Sequence, residues 1–217
     1  MDRPTLIIGN RNYSSWSLRA WLALKATGMV FDEVVVPLGT PETEAAIRQH
    51  SPSVRVPAFR DGEILVWDSL AICEHLAETH PEAALWPADP VARAVARSVT
   101  AEMHSGFVAV RKHMPMNLRA SYPGVGRGEG VDEDIVRITT IWENCRNAFG
   151  AGGDLLFGHF TIADAFFAPI VSRFRTYGVT PPGTAADYME AVWALPTMKD
   201  WAEKARSEPW NVDRYDQ

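Results

Sequence analysis

Ser14, Ser15 and Ser17 place three hydroxyls in four positions, between the apolar run Leu6-Ile7-Ile8 and a helical pattern that carries Leu18, Trp21, Leu22 and Leu24. A strand, a serine-rich turn and a helix bring hydroxyls and unpaired backbone N–H groups to one point, at the helix end whose dipole favours negative charge. The chemistry on offer is stabilisation of an anion or of a thiolate. A single serine ahead of a periodic run is most simply an N-cap, and three exceed what a cap requires.

Two further groups of residues bear on the same chemistry. Val56-Pro57 opens a β pattern with a residue that cannot donate to a ladder. A trans bond is the commoner state, since only about 5–6% of X–Pro bonds in folded proteins are cis. The cis alternative would turn the preceding carbonyl and N–H outward, as a receptor for an extended peptide ligand. In Trp67-Asp68-Ser69-Leu70-Ala71-Ile72 a strand ends in an acid and a serine that begins a helix. Ser69 is placed to cap while its N–H faces an anion, and Asp68 to hold a cationic amine; an ordinary cap is the plainer alternative. Arg55 adds a carboxylate partner.

The elements that must position these residues alternate along the first 80 residues. Residues 4–9 and 33–36 read as strands, 15–27 as a helix and 41–49 as a short helix with Pro41 in its first turn. Residues 56–60 and 63–67 flank Asp61-Gly62 as a hairpin, and a helix over 69–78 closes the unit. This order predicts a mixed sheet with one parallel half and one antiparallel hairpin. Pro81, Pro87 and Pro90 mark residues 81–90 as a linker between a domain over 1–80 and one over 91–217. Beyond it, helices are expected at 90–114, 131–149, 161–176, 183–193 and 195–206, an all-helical second domain. The glycines at 124, 126, 128 and 130 follow no strand and read as a turn rather than a phosphate cradle.

Bulk properties narrow the function classes. With 217 residues, 47% of them hydrophobic, the chain can bury a substantial core. A net charge of −6 opposes nucleic-acid binding, so the expected partner is a small molecule. No apolar run approaches the roughly 18–20 residues of a membrane span, and no secretory leader is visible, so neither membrane nor export is expected and the location read is the cytoplasm. Cys73 and Cys145 lie far apart in helical patterns, which argues against a disulfide framework, a zinc site or dithiol chemistry.

Taken together, the motifs describe a receptor for a zwitterionic thiol peptide, and nearly the whole chain resembles the cytosolic glutathione transferases of bacterial, serine-dependent type. Ser51-Pro52-Ser53-Val54-Arg55-Val56-Pro57 is similar to that family's loop before its cis-proline. Asp68-Ser69-Leu70-Ala71-Ile72 resembles its acidic-Ser motif for the γ-glutamyl group, with Asp where Glu is commoner. Ser14-Ser15-Trp16-Ser17 resembles the Ser-Ser-Cys-Ser signature of the zeta class, which includes maleylacetoacetate isomerase, with Trp16 in place of the cysteine. Phe160-Thr161-Ile162-Ala163-Asp164 resembles the buried capping motif of the family's core helix, where loss of either cap partner is expected to cost about 0.5–2 kcal/mol.

The resemblance implies a thioredoxin-like N-terminal domain, an all-helical C-terminal domain, a homodimer, glutathione as co-substrate and no metal. By residue match Ser14 is the favoured catalytic hydroxyl, with Ser15 and Ser17 as rivals, and Arg55, Val56, Pro57, Asp68 and Ser69 are the glutathione-binding set. Serine is too weak a base to remove the thiol proton but can donate a hydrogen bond to the thiolate. Lowering a thiol pKa of about 8.5 by about two requires roughly 2.7 kcal/mol. A hydrogen bond to a charged group supplies about 1.5–3 kcal/mol, and a helix N-terminus about 0.3–1. The thiolate would then attack an electrophile, for conjugation or, alternatively, cis–trans isomerisation. Trp16, His104, Phe107, Val108 and Arg111 are the expected electrophile contacts, the last four sharing one face of the 90–114 helix at i, i+3, i+4 and i+7. Arg111 would anchor an acidic substrate, and Arg173 and Arg175 are similar candidates. A non-catalytic ligand-binding protein of the same fold is the alternative from another class.

Overall fold

Strand β1 (Thr5–Gly9) is the first of the inner pair of a four-stranded sheet ordered β2-β1-β3-β4. It runs parallel to β2 (Asp32–Val36) and antiparallel to β3 (Ala58–Asp61), which pairs with β4 (Ile64–Trp67). This is the mixed sheet expected from the alternation of elements, in the thioredoxin-like form that the resemblance implies. The parallel pair is joined through helix α1 (Ser15–Ala26), as a crossover requires. Residues described in the computed structural model are 3–212.

The period-two pleat sorts the strand residues between two layers. Leu6, Ile8 and Phe59 face the large core with α1 and α3 (Ser69–Thr79), while Ile7, Val36 and Ala58 meet Ile47 of α2 (Thr43–Arg48) on the other side. After a short 3-10 turn at Pro81–Ala83 come α4 (Pro90–Ser105), α5 (Val108–His113), α6 (Val131–Phe149), α7 (Ile162–Tyr177), α8 (Gly183–Ala194) and α9 (Pro196–Ser207). Helix α7 is the central rod of this bundle, and every one of its residues except Arg175 is buried. Because α1 packs against both α3 and α7, one core runs from the sheet into the helices. No helix among the described residues is long and apolar enough to cross a membrane.

Helix α7 begins at the expected capping box. Thr161 accepts from the Asp164 N–H, and the Asp164 carboxylate accepts from the Thr161 N–H at 2.8 Å. The second carboxylate oxygen accepts from the N–H of Leu156 at 3.1 Å, a role the sequence pattern does not contain.

Three local expectations are corrected. Helix α2 starts at Thr43, so Pro41 lies outside it. Asp61 pairs with Ile64, which shifts the hairpin loop to Gly62-Glu63, with Gly62 at φ +56° in the first central position, where a positive φ suits glycine. The single helix over 90–114 is instead two. Gly106 ends α4 in extended backbone, and Phe107 adopts φ +56° before α5 begins.

The break has a physical cause. Leaving helical geometry buries Phe107 in the core, whereas continuing the period would hold it to the stripe of its neighbours. The carbonyls that α4 leaves without helical partners at its end are met by Arg111, whose guanidinium donates to Met103 O and, at 3.0 Å, to His104 O. His104, Phe107, Val108 and Arg111 therefore do not share one helix face, and Val108 points to solvent with 68% of its surface exposed.

Candidate active site

The turn after β1 folds back on itself through the bonds from Tyr13 N and Ser14 N to Asn10 O, at 3.1 and 2.8 Å. That turn delivers Ser14 to the N-cap of α1, where its hydroxyl accepts from Ser17 N at 3.4 Å and lies 2.7 Å from the Ser17 hydroxyl. Ser17 itself accepts from Gly9 N at 3.0 Å. The 2.7 Å contact allows Ser17 to donate to Ser14, and in that arrangement the Ser14 proton is left for a ligand. Such a chain polarises each hydroxyl toward the next. Ser17 is fully buried behind this arrangement, while Ser14 and Ser15, at 5% and 6% exposure, line a cleft of about 1040 Å³.

The cleft collects residues from distant parts of the chain. Arg55, Val56 and Pro57 line it, and the Val56–Pro57 peptide is cis. Asp68 and Ser69 line it as well. Asp68, at φ +73°, caps α3 through the bond from Leu70 N at 2.8 Å, and its other oxygen stands 3.6 Å from the His104 ring. The helical bundle contributes Arg111, Pro115, Met116 and Arg173. Arg173 donates to Met114 O at 2.8 Å and to the Ser15 hydroxyl at 3.3 Å, so Ser15 is engaged by the bundle where Ser14 is engaged by Ser17. Arg175 faces the other way and pairs with Glu190.

Trp16 stands at the centre of the cationic wall. The guanidinium of Arg19 lies 4.4 Å from its ring centre, that of Arg111 5.1 Å, and the His104 ring meets it edge-on at 5.1 Å. Arg19 is wholly buried and also covers Phe166 at 4.7 Å. Burial, with Arg111 and Arg173 nearby, lowers its pKa well below the ordinary arginine range. Thus Trp16 and Arg111 reach the cleft, whereas His104, Phe107 and Val108 are not among the residues lining it.

Sequence reasoning missed Tyr13 and the Leu38-Gly39-Thr40-Pro41 loop, both on the cleft. The loop had a signal: it leaves the carboxyl end of a parallel strand, where open α/β sheets place ligands. The two cysteines are free and buried, and burial pushes the Cys145 thiol up to about 11 and Cys73 higher still.

His104 carries a pH dependence. Burial lowers its pKa below the ordinary 6.5 against the opposing pull of Asp68, with Arg19 and Arg111 adding to the lowering. The unfolded chain then binds more protons than the folded one just below pH 6.5, so stability falls as pH drops from 6.5 toward the folded value. Denaturant titrations at several pH values are expected to show His104→Gln flattening that fall, with no change above neutrality.

Comparison with known proteins gives the family. The family model described as "Glutathione S-transferase, N-terminal domain" matches residues 13–79, and that described as "Glutathione S-transferase, C-terminal domain" matches residues 128–204. The chain belongs to the glutathione S-transferase family. This transferase is an enzyme of that family, with the fold expected of it. It is 29% identical to a probable maleylacetoacetate isomerase of Caenorhabditis elegans over 78% of each chain. It is 33% identical to the maleylacetoacetate isomerase of Pseudomonas aeruginosa over 58% of each. Among solved structures, a glutathione transferase homologue from Burkholderia with bound glutathione superposes with a TM-score of 0.71 at 26% identity, over 94% of this transferase and 99% of that chain. A zeta-class maleyl pyruvate isomerase shares the fold, with a TM-score of 0.73 at 23% identity over 94% and 98%.

Proposed function

We propose that this transferase holds glutathione in the cleft, stabilises its thiolate with the Ser14 hydroxyl, and directs that thiolate at a small electrophile bound against Trp16 and Arg111. The observation that carries the reading is the Ser14–Ser17 hydroxyl pair at 2.7 Å, backed by the Gly9 N–H and set at the cleft wall. Asp68 is assigned the glutathione ammonium, Ser69 and Arg55 its carboxylates, and the Val56 backbone beside Pro57 its peptide. The Burkholderia homologue holds glutathione, which supports glutathione as the ligand of this fold. In conjugation, the sulfur forms a bond to carbon while a leaving group departs with its bonding pair, or while a π bond breaks and its electron pair moves to the neighbouring atom, which takes a proton.

A second reading is isomerisation: the thiolate adds to a double bond, the new single bond rotates, and elimination returns the thiolate. Arg111 and Arg173 on one cleft wall favour an electrophile bearing carboxylates, and relatives named maleylacetoacetate isomerase point the same way. The division into residues 1–80, 81–90 and 91–217, a homodimer and a cytoplasmic location belong to the same proposal.

Initial rates with glutathione and paired electrophiles, one neutral and one carboxylate-bearing, test it. Arg111→Met is expected to lower kcat/KM for the carboxylate substrate about 10- to 100-fold, because a hydrogen bond to a charged group contributes about 1.5–3 kcal/mol. The neutral substrate should be nearly unaffected. Equal losses for both would remove Arg111 as the carboxylate anchor, and no glutathione-dependent turnover of any electrophile would favour the ligand-binding alternative.

A further inference from the structure

The turn that presents Ser14 is not held by its local bonds alone. The backbone N–H groups of Arg11 and Asn12 converge on one carboxylate, that of Glu208, at 2.9 and 3.3 Å, from 197 and 196 positions away in the chain. Glu208 lies just beyond the end of α9, is buried to 7% exposure, and also accepts from the Arg11 guanidinium at 3.1 Å. Two successive N–H groups aimed at one anion form a nest, whose geometry the anion fixes. The opposite side of the turn is held by Trp201, whose ring N–H donates to Arg11 O at 3.0 Å.

The residues after Glu208 continue the brace. Arg119 donates to Glu208 O, to Trp210 O and to the Tyr13 hydroxyl at 2.8–2.9 Å, and the Tyr13 hydroxyl accepts from Val212 N at 3.3 Å. Val212 also backs Gly39, where a Cβ on that glycine would meet it at 3.1 Å. Tyr13 and Gly39 both line the cleft, so the 208–212 segment supports two of its lining residues at once.

We propose that Glu208 is a positioning residue for thiol activation: it sets the Arg11–Tyr13 turn, and through it the direction of the Ser14 hydroxyl. The proposal rests on the reading of Ser14 as the thiolate donor. Removing the carboxylate leaves two backbone donors of the turn without their acceptor and frees Ser14 to leave the position that Ser17 prepares.

The test is the thiolate absorbance of bound glutathione against pH for the wild type, Glu208→Ala and Glu208→Gln, with a thermal melt of each. Glu208→Ala is expected to hold a roughly tenfold smaller thiolate fraction near neutral pH and to lose kcat more than it raises KM, since a hydrogen bond to a charged group is worth about that factor or more. Glu208→Gln keeps one acceptor but faces the turn with an amide N–H, and should fall between the two. A folded Glu208→Ala with wild-type thiolate fraction would overturn the proposal. If Glu208→Ala does not fold, Glu208→Gln decides: a reduced fraction supports the role and an unchanged one overturns it. A wild type that binds glutathione without promoting its ionisation would remove the serine reading and this proposal with it.

Discussion

Replacing Ser14 by alanine is expected to lower kcat/KM for glutathione-dependent turnover about 10- to 150-fold, the range that follows from losing one hydrogen bond to a charged group. The loss should fall mainly on kcat, because the bond matters most once the sulfur is ionised, while the remaining contacts continue to hold the peptide. Ser17→Ala is expected to show a smaller activity loss and a stability loss of about 1–3 kcal/mol, since it strips the buried Gly9 N–H of its acceptor. Ser15→Ala should cost least in turnover, because its hydroxyl is already tied to Arg173. Steady-state kinetics of the three variants check the order. A dominant effect at Ser15 would move the assignment to that residue.

The largest stability effect is expected at Asp164. Its carboxylate is fully buried and accepts from Leu156 N, Thr161 N and the Thr161 hydroxyl. Burial pushes its pKa up, and those bonds work in the opposite direction. Asp164→Ala leaves two buried backbone donors unsatisfied at the start of the central helix, at about 1–3 kcal/mol each, giving an expected loss of about 3–5 kcal/mol. For a chain of this size that corresponds to a fall in Tm of roughly 6–20 °C. Calorimetry would read it, and a change of only a degree or two would mean that the start of α7 is held by other contacts. The exposed pair Arg127–Asp132 offers the contrast, because surface ion pairs contribute about 0–1 kcal/mol.

Where the sequence was legible, the signal was local. A strand, a serine turn and a helix start are written within about one helical turn of chain, and so is the Thr161–Asp164 box; the cap of α3, expected at Ser69, falls instead to Asp68, whose carboxylate reaches the Leu70 N–H. What escaped it depended on competition or on distance. The i, i+3, i+4, i+7 spacing of 104, 107, 108 and 111 looks helical, but burial of Phe107 and the Arg111 bonds to the end of α4 outweigh it, and Gly106 permits the break. Arg173 and Arg175 looked equivalent as a pair. Two positions along a helix turn by about 200°, so only one can face the cleft, and the packing of α7 chooses Arg173. Glu208 carries no local signal at all: its partners lie at the other end of the chain. Trp16 was legible as a departure from the zeta signature, yet its place between Arg19, Arg111 and His104 emerges only when α1 docks against the bundle.

The central claim is that this cleft ionises a thiol through Ser14, and the most direct measurement is an ultraviolet titration of the thiolate of glutathione bound to the wild type, with Ser14→Ala beside it. The account predicts a midpoint well below the free thiol value of about 8.5, moving back toward it in the variant. Glutathione that binds with an ordinary midpoint, or a depressed midpoint that survives loss of the Ser14 hydroxyl, would contradict it.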